Sequence, residues 1–175
     1  MIEEALHQKL IKALTERLPN ALASASATPF VYQSRDGQGR HAQVTELHRL
    51  EAPQEVLSAE GVRLYFPSII VQFAGSTYTE TEDECGDDRI YGEAAFTVDI
   101  ALDHGDEQLL TWLWHRYASA VQGILNALSV LDLATDYDGK TYEPQAFVTG
   151  KTITSLSTDS QTFARRGTVE LVVRF

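Results

Sequence analysis

The chain has 175 residues and a formal net charge of −11 at pH 7, which argues against a general nucleic-acid binder because such proteins need a basic face to displace phosphate counterions. No run of about 18 apolar residues predicts a membrane span, and the acidic start Met1–Glu4 is unlike a signal peptide. The single cysteine, Cys85, excludes an intramolecular disulfide and favours a reducing, cytosolic environment.

The first predicted element is an amphipathic helix with acidic residues in its first turn, an order of charge that suits the helix dipole. Its apolar residues recur at helical spacing: Ile2, Leu6, Leu10, Ala13, Leu14 and Leu18. Because proline disfavours a helical residue before it, the helix is predicted to end at Pro19-Asn20. Residues 21–28 are then a connector.

A short hairpin is predicted next. Phe30–Tyr32 is typical of a strand, Arg35–Gly39 of a hairpin turn, and Ala42–Leu50 of the returning strand. After it, Pro53–Ala59 begins with proline and is followed by Gly61, a pattern that predicts one or two helical turns.

A longer antiparallel hairpin forms the predicted centre of the fold. Leu64–Phe73 is a strongly apolar strand, in which Pro67 indicates a sheet edge or the start of the strand. The acidic link Ser76–Asp88 leads to Ala94–Leu102, where apolar and small or polar residues alternate.

A long helix, Asp106–Leu128, follows directly, with Asp106 as its predicted N-cap. Its apolar stripe comprises Leu110, Leu113, Trp114, Tyr117, Val121, Ile124, Leu125 and Leu128. Trp112 and Trp114 are both expected in the contact between this helix and the sheet, with one of them facing a neighbouring subunit as the alternative.

The chain closes with a turn at Asp136–Lys140 and two strands, Gln145–Leu156 and Gly167–Phe175. This order predicts a single α+β domain with a largely antiparallel sheet, packed by one long helix and an N-terminal amphipathic helix. Its hairpin strands, Leu64–Phe73 and Gly92–Leu102, are expected to offer uncovered edges to another subunit.

No catalytic, cofactor-binding or metal-binding set is predicted. Cys85 and His104 could form a nucleophile and its base, but acidic neighbours of the cysteine oppose thiolate formation. His41 and His48 could meet on one helix face, yet nothing supplies a third metal ligand. His115, within the long helix, is expected to be a structural histidine.

One acidic segment is a further candidate for a partner-facing feature. Its carboxylates are Glu80, Glu82, Asp83, Glu84, Asp87 and Asp88. They do not have the spacing of a helix–loop–helix calcium site, so a solvated loop is one interpretation. The other is a flexible extension that touches an adjoining ring or lines a channel for DNA, where carboxylates would repel phosphates.

The order of elements resembles the tail terminator, or tail-completion, proteins of long-tailed bacteriophages. The N-terminal helix, the strand Phe66–Gln72 and the acidic hairpin carry the resemblance. The strand Phe96–Ile100, which leads into the long helix, and the closing strand Thr168–Phe175 complete it. The resemblance covers most of the chain and implies a single domain of residues 1–175, although Phe30–Gly61 is longer than in the minimal family form.

The resemblance implies a virion structural protein without catalysis or cofactor, assembled in the host cytoplasm and located in the neck of the virion. Such proteins form a homo-oligomeric ring, usually a hexamer, that stops polymerisation of the tail tube protein and joins the tail to the head–tail connector protein. DNA passes through without specific binding. Alternatives are a head–tail adaptor or another tail-ring subunit and, from another class, a small hydrolase or metal-dependent enzyme.

Overall fold

The protein's structure, a computed structural model, describes residues 2–35, 38–58, 66–82, 88–129, 134–135, 139, 141–142, 144–158 and 163–175. Two helices, α1 (Ile2–Ser26) and α2 (Glu107–Asn126), are present, and a 3-10 turn (Ala127–Ser129) follows α2. The strands are β1 (Phe30–Arg35), β2 (His41–Glu46), β3 (Val56–Leu57), β4 (Ser68–Glu82), β5 (Asp88–His104), β6 (Ala134–Thr135), β7 (Thr141–Tyr142), β8 (Gln145–Thr158) and β9 (Phe163–Arg174).

Five strands form the main sheet in the order β3-β4-β5-β9-β8. Every neighbouring pair is antiparallel except β3 with β4, which are parallel. Strand β5 is therefore central, as the alternation of Ala94–Leu102 predicts, and the α+β fold class with a mostly antiparallel sheet is confirmed. The pairs β1–β2 and β6–β7 are separate small hairpins.

Both helices pack on one face of this sheet and against each other. That face is built from the alternate residues of the strands, among them Phe96, Val98, Ile100, Val169, Leu171 and Val173, all of which are buried. The indole of Trp114 fits over Gly167, where an added Cβ would lie 2.2 Å from its Cζ2 atom, and its Nε1 donates a hydrogen bond to the Ile100 carbonyl at 3.3 Å. Glycine at position 167 is thus what brings α2 close to β9.

Helix α2 begins as predicted. The Oδ1 atom of Asp106 accepts a hydrogen bond from the Leu109 amide at 2.9 Å, and the predicted apolar stripe is buried from Leu110 to Leu128. The prediction that both tryptophans lie in the core is wrong for Trp112, whose exposed fraction is 49%. Leu110 and Trp114 are one helical turn apart, so the residue midway between them points to the opposite side of the helix.

The predicted end of α1 at Pro19-Asn20 is wrong, since the helix continues to Ser26. Leu18 and Leu22 are four residues apart and both buried, so Leu22 extends the apolar stripe onto the core. Burial of that leucine, in an alanine-rich segment that favours helix, offsets the hydrogen bond that the exposed Pro19 cannot donate.

Three other boundaries differ from prediction. The helical turns expected at Pro53–Ala59 are absent from the described residues 53–58, where Val56 and Leu57 instead pair in parallel with Ile69 and Ile70 of β4. Strand β4 begins at Ser68, directly after Pro67, while Leu64 and Tyr65 lie outside the described residues. The strands of the central hairpin extend into the predicted acidic link, as far as Glu82 and Asp88.

The remaining strands match their predictions more closely. Strands β1 and β2 pair antiparallel, although β2 ends at Glu46 rather than Leu50. Strands β8 and β9 form the closing pair and contain most of the two predicted segments. The predicted turn at Asp136–Lys140 lies between the paired strands β6 and β7, but only residue 139 of it is among the described residues.

Candidate interaction surfaces

The central hairpin projects beyond the sheet as a two-stranded arm, formed by residues 78–82 and 88–92. Strands β4 and β5 remain paired through Glu82 and Asp88, whereas the pairing of β5 with β9 ends at Glu93 and Arg174. The base of the arm is fixed by Phe175, which both donates to and accepts from the backbone of Gly92 at 3.0 Å. Its ring covers this glycine so closely that a Cβ there would lie 2.3 Å from the ring.

The predicted acidic residues fall on this arm or on its tip. The backbone positions of Glu80, Glu82 and Asp88 belong to its strands, and Glu82 lies opposite Asp88 in the register. Their side chains, and the whole of residues 83–87 with Asp83, Glu84, Cys85 and Asp87, lie outside the described structure.

Within the described part of the chain, other strands cover the two outer edges of the sheet only partly or not at all. On one side β3 covers only Ile69 and Ile70 of β4, and the His7 Nε2 atom lies 2.9 Å from the Val71 carbonyl oxygen. On the other side β8 is the last strand among the described residues. The expectation that Gly92–Leu102 offers an edge is wrong, because β5 is hydrogen-bonded to β4 on one side and to β9 on the other.

The face of the sheet opposite the helices carries polar side chains and is covered by no helix of the described ranges. Thr168 donates a hydrogen bond to the Asp99 carboxylate at 2.7 Å, and Arg174 donates to Glu93 at 2.6 Å. The guanidinium of Arg174 also lies 5.3 Å from the centre of the exposed Phe147 ring. The polar groups of these neighbours bind one another. We name this side of the sheet the bare face, and its paired polar groups are typical of a solvent-facing surface rather than of a hydrophobic core.

On the helical side, Arg116 of α2 ties the end of α1 to the β1–β2 hairpin. Its guanidinium donates hydrogen bonds to the carbonyls of Ala25 at 3.2 Å, Thr28, and Pro29 at 2.8 Å. It also lies over the ring of Phe30. Burial lowers the pKa of Arg116 from its ordinary value. Sequence reasoning missed this residue, since neither its spacing nor its neighbours indicate partners nearly 90 positions away.

A row of three neighbouring rings begins at Phe30 and continues through His48 to His104. The rings of Phe30 and His48 are 5.5 Å apart, and those of His48 and His104 are 6.2 Å apart. His41 and His48 do not share a helix as considered, because His41 begins β2 and His48 follows that strand. His115 is exposed beside Trp114 rather than buried in the helix contact.

Two concavities flank this row of rings. The larger, a groove of about 640 Å³, is lined by Ala21, Ser24, Ala25, Thr28, Phe30, Val31, Trp112, His115, Arg116, Ser119 and Ala120. The smaller, which we name the Tyr117 pocket, has a volume of about 230 Å³. Its lining consists of Arg49, Leu50, Glu51, Phe66, Pro67, Leu102, Asp103, His104, Leu113 and Tyr117.

The hydroxyl of Tyr117 is the unusual group in the smaller concavity. It is buried and has no hydrogen-bond partner among the described residues. Burial first, and the negative charge of Glu51 second, raise the pKa of Tyr117 above its ordinary value. The phenol is therefore neutral under physiological conditions and can either donate or accept one further hydrogen bond.

The described residues contain no cluster of three or more His, Cys, Asp or Glu side chains that could hold a metal ion. Neither α1 nor α2 combines the length and apolar character needed to cross a membrane. No protein-family model matches the sequence, and no curated protein matches it significantly.

Proposed function

We propose that this chain is a structural subunit of a homo-oligomeric ring at the end of a bacteriophage tail tube, where it stops tube polymerisation and joins the tail to the head connector. The observation that carries the proposal is the pair of sheet edges that no other described strand covers, on β4 beyond Val71 and on β8. Unpaired edges favour association with another chain. Because the two edges differ, association through both is head-to-tail, the arrangement from which rings close.

The directions of the strands suit such a contact. Neighbouring strands alternate in direction from β4 through β5 and β9 to β8, so β4 and β8 run in opposite directions. If β8 of one subunit met β4 of the next with the same face outward, the two would pair antiparallel and the sheet would continue around the ring. Antiparallel pairing needs no further rearrangement of either strand.

The layering of the fold gives the ring an inside and an outside. The two helices occupy one face of the sheet, and a closed sheet has more room for a helical layer on its outer side. The bare face, with Asp99, Thr168 and Glu170, would then line the channel. Together with the net charge of −11, it offers passing DNA no excess of positive charge.

The proposal is tested by deleting the gene for this chain from the phage that produces it and then measuring tail lengths and head attachment by electron microscopy. We expect tubes of uncontrolled length without heads, with both defects restored by complementation. Normal tail lengths with unjoined heads would identify a head–tail adaptor instead. Native mass measurement of the purified chain and images of isolated tails complete the test, and monomers in both would contradict the ring.

A further inference from the structure

The Tyr117 pocket opens to the surface, and one residue of its lining, Tyr117, has a buried hydroxyl without a hydrogen-bond partner among the described residues. The Tyr117 ring comes from α2, and the opposite walls come from the chain after β2 and from the end of β5. A buried polar atom without a partner lowers stability, and proteins rarely keep one unless a water or ligand satisfies it. The hydroxyl therefore marks a position where a bound group would make a hydrogen bond that the described chain does not supply.

The charges around the pocket favour a cation. Glu51 and Asp103 are two acidic residues of the lining, against the single basic residue Arg49. His104 accepts a hydrogen bond at Nδ1 from the Asp106 amide at 2.9 Å, which fits the neutral ring with its proton on Nε2. The charged residues of the lining therefore sum to one negative charge, which attracts a cation and repels an anion.

The shape of the pocket favours a short alkyl chain that carries this charge. Its apolar walls, Leu50, Leu102 and Leu113, suit methylene groups, and the partly exposed ring of Phe66 adds an aromatic surface for a cation. Since one water occupies about 30 Å³ of liquid, the volume of about 230 Å³ admits a group the size of a long side chain.

We infer that the Tyr117 pocket binds one alkylguanidinium or alkylammonium group, with the Tyr117 hydroxyl accepting a hydrogen bond from it and the carboxylates of Glu51 and Asp103 balancing its charge. The group is either a free small cation or an arginine or lysine side chain of an associating protein. This inference does not depend on ring formation, because every group named belongs to one copy of the chain.

The test is a titration of the full chain with n-butylguanidinium, followed by the backbone amide signals of His104, Leu113 and Tyr117 in NMR spectra. Saturable shifts of these signals are expected. The neutral analogue N-butylurea should bind about tenfold more weakly, because hydrogen bonds from charged donors are the stronger ones. Equal binding of the two compounds would overturn the inference by showing that the pocket does not recognise the charge, and the absence of any shift would overturn it in favour of a pocket that holds only water.

Three substitutions separate the parts of the site. Tyr117→Phe should weaken binding about tenfold through the lost hydrogen bond. Glu51→Gln should weaken it about two- to fivefold, whereas Arg49→Gln should strengthen it by a similar factor, since both residues are exposed charges. Glu16→Gln, which removes an exposed carboxylate of α1, is the matched control and should change nothing. A folded Tyr117→Phe protein with unchanged affinity would contradict the inference.

The source of the cation is distinguished with N-acetylarginine methylamide, which carries the same guanidinium on a length of backbone. Binding as tight as that of n-butylguanidinium supports a protein side chain as the natural occupant. Exclusion of this compound, with n-butylguanidinium still bound, supports a free small cation.

Discussion

The guanidinium carbon of Arg116 lies 3.4 Å from the centre of the Phe30 ring. The same guanidinium donates hydrogen bonds to three carbonyls at and after the end of α1, those of Ala25, Thr28 and Pro29. One side chain of α2 thus binds a carbonyl in the last turn of α1 and two carbonyls in the connection that follows, and it stacks on the first residue of β1. The contact fixes how the N-terminal helix leads into the hairpin.

Replacement of Arg116 by lysine should therefore destabilise the protein although the charge is kept. A lysine ammonium cannot reproduce the planar fork that reaches three carbonyls and stacks on Phe30. We expect a loss of about 2 kcal/mol in the free energy of unfolding, measured by urea denaturation. Arg49→Lys, at an exposed arginine, is the control and should change it by less than about 0.5 kcal/mol. Equal stability of the two variants would contradict this role of Arg116.

Val121→Asp tests the packing of α2 against the sheet. Val121 has no exposed surface, so aspartate would place an unpaired charge in the core. An uncompensated buried charge costs about 3–5 kcal/mol, enough to prevent soluble folding of a marginally stable domain. Ser119→Asp, on the exposed side of the same helix, should fold normally. Circular dichroism and solubility give the comparison, and a native-like Val121→Asp protein would refute the assignment.

Tyr117 should make stability depend on alkaline pH. The pKa of Tyr117 is raised in the folded state above the unfolded value of about 10, so the folded protein keeps the phenol proton up to a higher pH than the unfolded chain does. The contribution of the neutral phenol to the free energy of unfolding is complete below pH 10. It is lost as the pH rises above 10, by at most about 1.4 kcal/mol per pH unit. The difference in unfolding free energy between the native chain and Tyr117→Phe should accordingly shift in favour of the variant above pH 10. A constant difference from pH 8 to 11 would contradict the raised pKa.

Phe73→Lys should weaken assembly more than it weakens the fold. The Phe73 ring is 45% exposed at the β4 edge and makes a single ring contact, with Phe96, among the described residues. A lysine there adds an exposed charge at the proposed contact, a device that discourages pairing of strand edges. Native mass spectrometry should show fewer rings. Val31→Lys replaces a hydrophobic residue that is 57% exposed away from this edge, and rings should persist in that variant.

Replacement of all six acidic residues of the arm by serine or asparagine should leave ring formation intact, because the arm lies past the point where β5 stops pairing with β9, whereas the proposed contact uses the part of β4 that lies beside the main sheet. The residues changed are Glu80, Glu82, Asp83, Glu84, Asp87 and Asp88. Loss of head joining would indicate docking on a neighbouring ring, and slower DNA exit from normal particles would indicate a place in the channel. If every step proceeded unchanged, the arm would be a solvated extension.

Local patterns in the sequence predicted the elements that make up the core. The alternation of Phe96, Val98 and Ile100 placed β5 in a sheet with one buried face, and the spacing of the apolar residues in α2 identified its buried side. Asp106 was recognisable as the N-cap because capping involves a residue only three positions away. Such predictions succeed because periodicity and capping depend on neighbours in the chain.

The remaining features, namely the end of α1 and the long-range polar contacts, depend on the three-dimensional path of the chain. Proline at position 19 predicts a helix end, but the tertiary contacts of Leu22 carry α1 to Ser26. The partners of Arg116 lie 87 to 91 residues away, and the Tyr117 pocket joins segments from three parts of the sequence. The periodicity of neighbouring residues carries no information about contacts between residues so far apart in the sequence. The sequence alone determined which residues avoid water, whereas only the tertiary structure decided which polar groups meet, because hydrogen bonds depend on positions within a few tenths of an ångström.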